Sequence, residues 1–127
     1  MKIKNLPSLL ALLFFLSSFN IESRDVKIKI KNLDERKLIQ RGIKPSDFTE
    51  MTVESLDENL IVESLQITLA RGNRAVSISD VNGNNFSLRK LAGVARSGDR
   101  LVIEVRKRNL EIESVKPTIT VITIPIK

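Results

Sequence analysis

The sequence predicts a mainly β fold: an antiparallel β-sandwich of immunoglobulin-like character, or a rolled sheet, with one or two short helices. Three observations carry this expectation. Apolar and polar residues alternate over several separate runs, the period of strands with one buried face. Clusters of Gly, Asn, Asp and Ser stand between the runs, about every ten residues. The helical periods between them are short.

The first segment stands apart from that pattern. Lys2 and Lys4 precede an apolar run from Leu9 to Leu16, and Ser17, Ser18, Phe19 and Asn20 follow it. A positive start, a short apolar centre and small residues match a secretory signal peptide. The run is well short of the ~20 residues that span a bilayer. No Ala-x-Ala cleavage site is present, so the segment is either cleaved elsewhere or kept as a signal anchor. No Cys follows it, which excludes a lipoprotein anchor. The expected organisation is therefore a signal segment over 1–20 and a single β-rich domain over 21–127, periplasmic or extracellular.

Val26, Ile28 and Ile30 alternate with Lys27, Lys29 and Lys31. This predicts a half-buried strand near a sheet edge, where lysines discourage unwanted pairing. Asp34 to Gln40 reads as a short helix with Asp34 as N-cap and Gly42 as stop. Pro45 breaks the next stretch, in which Phe48, Met51, Val53 and Leu56 are the expected core anchors. Leu65, Ile67 and Leu69 alternate with polar partners, and Val76 and Ile78 do so after Gly72-Asn73. Together they predict a hairpin. Residues 80–85 form a turn cluster. Ser87 is placed to cap a helix bearing Leu88, Leu91, Ala92 and Ala95. Leu101, Ile103 and Val105 predict a strand, and Leu110 and Ile112 alternate with Glu111 and Glu113. Pro117 opens the last run. There Ile122, Ile124 and Ile126 share a face, and Pro125 requires an edge or an ending. The final strand is expected to pair with Leu101–Val105. The peptide Val-Glu-Ser-Leu occurs at Val53–Leu56 and at Val62–Leu65, a spacing too short for a solenoid repeat.

Composition narrows the chemistry. The chain has no Cys, His, Trp or Tyr. It therefore lacks disulfides, Ser/His and Cys/His nucleophile pairs, and the best base-stacking side chains. Ser87-Leu88-Arg89-Lys90 has the Ser-x-x-Lys spacing of penicillin-recognising enzymes, but their other two motifs are absent. Asp80, Asn82 and Asn84 begin like a calcium loop. Gly83 is out of place, however, and Leu91 stands where the bidentate Glu belongs. No cofactor, metal ligand set or catalytic residue is assigned, and no tight small-molecule ligand is expected.

The formal charge is +6, part of it from Lys2 and Lys4. Arg71, Arg74, Arg106, Lys107 and Arg108 form the candidate partner-binding basic face. Arg89, Lys90, Arg96 and Arg100 are able to add to it. An acidic envelope protein suits such a face. Nucleic acid does not suit an exported chain of modest charge. A membrane partner requires retention of the signal segment. The alternative function is a small carboxylate-based hydrolase or carbohydrate-acting enzyme, which needs two carboxylates roughly 5–9 Å apart across a cleft.

One resemblance covers Val62 to the C-terminus. The strand Leu65-Gln66-Ile67-Thr68-Leu69 leads to a Gly-containing turn, then to Asn85-Phe86-Ser87 and a short helix. Ala95-Arg96-Ser97-Gly98-Asp99-Arg100-Leu101 is similar to a Gly-Asp turn into a strand, and Ile122 to Ile126 close the chain. In that order these pieces resemble the C-terminal periplasmic domain of GldM-type proteins, from the gliding-motility and type IX secretion machinery. Lys116-Pro117 stands where that family has Pro-Asp-Gly. The resemblance implies a β-rich, periplasmic, protein-binding module without catalytic residues. The motor-coupling role of the long multidomain proteins does not transfer with it.

Overall fold

A computed structural model of the chain describes residues 25–111 and 117–127. The expected signal segment and the positions of Ile112 and Glu113 lie outside these residues. Seven strands are described: β1 (Val26–Ile30), β2 (Glu50–Ser55), β3 (Leu60–Arg71), β4 (Arg74–Asn82), β5 (Asn85–Ser87), β6 (Arg100–Asn109) and β7 (Thr118–Pro125). They form a three-stranded sheet in the order β1-β2-β5 and a four-stranded sheet in the order β4-β3-β6-β7. Every pairing between strands is antiparallel. The chain is thus a mainly β sandwich of two antiparallel sheets, as the alternation predicted.

The core is the set of facing apolar rows. Val26, Ile28, Ile30, Met51, Val53 and Phe86 come from the smaller sheet. Leu65, Ile67, Leu69, Leu101, Ile103, Val105, Ile122 and Ile124 come from the larger. Register places Ile67 opposite Ile103 and Ile103 opposite Ile122, so one apolar row crosses three strands. The expected pairing of β7 with Leu101–Val105 is present, and β7 lies at the sheet edge that Pro125 requires. β1 is likewise an edge, with Lys27 and Lys29 exposed.

The α-helix described, α1 (Glu35–Arg41), begins at Asp34, whose side chain accepts from the Arg36 N–H. It ends at Gly42, which has φ 93° and ψ −178°, a conformation essentially reserved for glycine. An added Cβ there would lie 2.5 Å from the Pro125 carbonyl oxygen. Beyond Gly42, the Ile43 N–H donates to that same oxygen, and Lys127 N–H donates to the Ile43 carbonyl. Gly42→Ala should therefore loosen both α1 and the end of β7. It should cost about 2 kcal/mol or more, read from the urea midpoint. An unchanged midpoint would show that the loop relaxes freely.

Several expectations are corrected. Leu56 is 61% exposed, because β2 ends at Ser55 and Leu56 sits in the turn that follows. Leu110 is also exposed, in the turn that ends β6. The helix after Ser87 is a 3-10 turn, Leu88–Leu91, and the Ser87 side chain makes no capping bond. Its backbone is held instead through the Leu88 N–H to the Thr49 carbonyl. Leu88 and Leu91 are buried as expected. Val76 and Ile78 do not share a face. The β3–β4 register shifts between Leu69 and Ala70, which leaves Val76 without an opposite residue and turns Ile78 to solvent.

Candidate functional site

The five candidate cations do not gather on one face. Along β6, Leu101, Ile103, Val105 and Lys107 share the buried face, so Arg106 and Arg108 point the other way. Lys107 is 6% exposed. Its Nζ meets both carboxylate oxygens of Asp25, at 2.8 and 3.0 Å. A buried lysine needs such a partner, since an isolated charge in the interior is very costly. Lys107 therefore fastens the entry of β1 to the end of β6. Arg108 pairs with Glu63. Arg71 is bound to Asp99 through Nε and Nη2, both at 2.8 Å.

Arg74 and Arg106 make no ion pair among the described residues. They stand near opposite ends of the larger sheet: Arg74 faces Arg71, and Arg106 faces Ser64. Seven residues of strand separate those positions, about 23 Å. Of the supplementary cations, Arg100 donates to the Gly72 carbonyl, and Lys90 lies over the Phe86 ring.

Asp99 is the most enclosed carboxylate described, at 2% exposure. Besides Arg71 it accepts the Arg96 N–H at 2.9 Å. Hydrogen bonding from Arg71 holds its carboxyl below the usual range, against the opposing effect of burial. The backbone around it clasps Ile126: Gly98 N–H donates to the Ile126 carbonyl, and Ile126 N–H to the Asp99 carbonyl. The Gly-Asp turn is thus a structural knot joining the β3–β4 hairpin, the start of β6 and the end of β7.

The outer face of the larger sheet carries a concavity of about 360 Å³. Register sets Asp80 and Glu104 on either side of Gln66, and both carboxylates line the concavity with Asn82, Arg106 and Ile119. Asp80 accepts from Gln66 Nε2 at 3.0 Å. Glu104 lies mid-sheet, and burial raises its pKa; Arg106 lowers it in part, and Asp80 raises it further. A raised carboxyl binds its proton more tightly in the folded chain, so its ionisation costs stability as pH rises through the folded pKa. Glu104→Gln should therefore raise the melting temperature at pH 7 but not at pH 4. Equal effects at both pH values would show that the carboxyl is fully solvated.

The calcium-like stretch is used otherwise: Asn84 Nδ2 donates to the Val53 carbonyl, and Asp80 is held by Gln66. Among the described residues no helix is long and apolar enough to cross a membrane.

A family model, the GldM C-terminal domain, matches residues 27–127. The match takes in β1 from Lys27, α1 and β2 as well as the stretch from Val62 onward. Comparisons with curated proteins and with solved structures find no match. The order of strands, the Gly-Asp knot and the closing isoleucine strand all lie within the matched residues, and the chain belongs to the GldM C-terminal domain family.

Proposed function

We propose that this chain is an exported, non-enzymatic protein-binding module of the bacterial cell envelope, acting with the gliding and type IX secretion machinery. The family match over 27–127 carries the reading. In this proposal residues 1–20 direct export and residues 21–127 form one domain. The partner is an envelope protein, met by sheet surfaces rather than by a pocket. In-cell cross-linking of the tagged chain, followed by fractionation, tests both parts. Recovery in the periplasm, cross-linked to a component of that machinery, is the expected result. A cytosolic chain, or one without any protein cross-link, would overturn the reading.

A single observation favours the second reading, a carboxylate-based hydrolase. Asp80 and the half-buried Glu104 face one concavity. Their strands are two spacings apart, roughly 9–10 Å, at or beyond the wide end of the inverting range. Among the described residues no aromatic ring lines the concavity as a sugar platform. Hydrolysis of an envelope glycan by the wild type, lost in Glu104→Gln, would establish this reading over the first.

A further inference from the structure

The sandwich has four sheet edges, and three are guarded. On β1, Ile28 N–H donates to Glu35 Oε2 at 2.8 Å, as it would to a neighbouring strand. The Leu33 N–H takes the Ile30 carbonyl, and lysines line the strand. β5 has only three residues. β7 has α1 packed against it. It also contains Pro125, whose carbonyl is taken by Ile43. These are the usual devices that keep an edge from adding a strand.

β4 lacks them. It runs for nine residues without Lys or Pro, and Ala75–Ser79 carry no charge. Its one irregularity, at Val76, lies near the hairpin end; from Ser77 to Asn82 the register is regular. Gly83 N–H donates to the Glu63 carbonyl. By alternation, Val81, Ser79 and Ser77 turn their backbone groups to β3. Ile78, Asp80 and Asn82 turn theirs outward, where no described loop or side chain meets them. Beside those open groups stands Ile78, 56% exposed.

We propose that β4 receives an extended, cationic strand from a partner protein, with an apolar residue beside Ile78 and a Lys or Arg beside Asp80. This rests on the protein-binding reading above and names its contact surface. Backbone hydrogen bonds supply the attachment, and side chains at every second position supply the choice of partner. Charge complementarity fixes the sign. Among the described residues, the one hydrogen-bond partner of the Asp80 side chain is the neutral Gln66 amide. Glu104 lies one strand beyond and adds to the negative potential, and Arg106 alone among the concavity's lining residues opposes the two.

The test is amide hydrogen exchange on the full chain, titrated with a synthetic heptapeptide that alternates threonine with valine, lysine and valine. A matching peptide with glutamate for lysine is the control. The lysine peptide should protect the Ile78 and Asp80 amides and bind about tenfold or more tightly than the glutamate peptide. Ile78→Pro removes one outward N–H without touching the β3 ladder and should weaken binding about tenfold. Should that variant fail to fold, Asp80→Lys reads the same surface by reversing the preference between the peptides. No protection at millimolar peptide, or equal binding of both peptides, overturns the proposal. So does protection of the same amides that grows with protein concentration alone, because a second copy then occupies the edge. If Ile78→Pro folds and keeps its envelope cross-links, this surface is wrong while the protein-binding reading stands.

Discussion

Removing residues 118–127 should abolish cooperative unfolding. β7 contributes Ile122 and Ile124, and the chain just beyond it contributes Ile126; all are at most 3% exposed. Burial of each isoleucine stabilises by about 1.5–3 kcal/mol, against ~5–15 kcal/mol for a whole small domain. The loss is wider than three side chains. Ile122 stands opposite Ile103 and Ile124 opposite Leu101, so the deletion also exposes β6. The Ile43 N–H and the Asp99 carbonyl lose their backbone partners as well. A graded version is Ile124→Ala, expected to cost about 2–5 kcal/mol as a lowered urea midpoint at unchanged slope. A truncated chain that melts cooperatively at the wild-type temperature would show that β7 is peripheral.

Asp99→Asn should be the most damaging single polar change. The carboxylate satisfies two guanidinium N–H groups and one backbone N–H in a nearly closed setting. The amide keeps the shape but loses the charge and at least one acceptor. A cost of about 2–3 kcal/mol is expected, which lowers the melting temperature of a domain this size by roughly 10 °C or more. The effect carries a pH signature. The folded pKa of Asp99 is depressed, so its contribution is complete above the ordinary carboxylate range and is lost as pH falls through the folded value. Wild type and variant should therefore differ at pH 7 and converge as pH approaches 2. A constant difference across that range would assign the loss to packing rather than to charge.

The strands were legible because alternation survives in a sandwich whose sheets each bury one face. Val26–Ile30, Leu65–Leu69, Leu101–Val105 and Ile122–Ile126 all fall where the pattern put them. Leu56 and Leu110 were misplaced because a strand's end is set by its partner's length, which composition does not contain. Lys107 looked like part of an Arg-Lys-Arg surface run. Its parity with Leu101, Ile103 and Val105 already put it on the buried face, and that signal was available to the eye. Its partner Asp25, 82 positions away, was not. Nor was the partnership of Arg71 with Asp99, or the burial of Glu104, which depends on β6 being an interior strand. Strand order is a long-range property. It decides which edges stay open, and so it hid β4 from a reading of the sequence.

The Lys107–Asp25 pair and the Ile126 clasp also fix where the chain can be pulled. Residue 25 enters at the end of β6 marked by Lys107, and Ile126 leaves at the end marked by Asp99. Those ends are a strand length apart, about 25–30 Å. Tension between the two points runs along the strands. It slides β1 past β2 and β7 past β6 instead of peeling them from one end. Sliding strains all the cross-strand bonds of a pair together, whereas peeling breaks them in turn. The sandwich therefore resists stretching along its length, and its β4 edge lies outside the strands that such a stretch would slide.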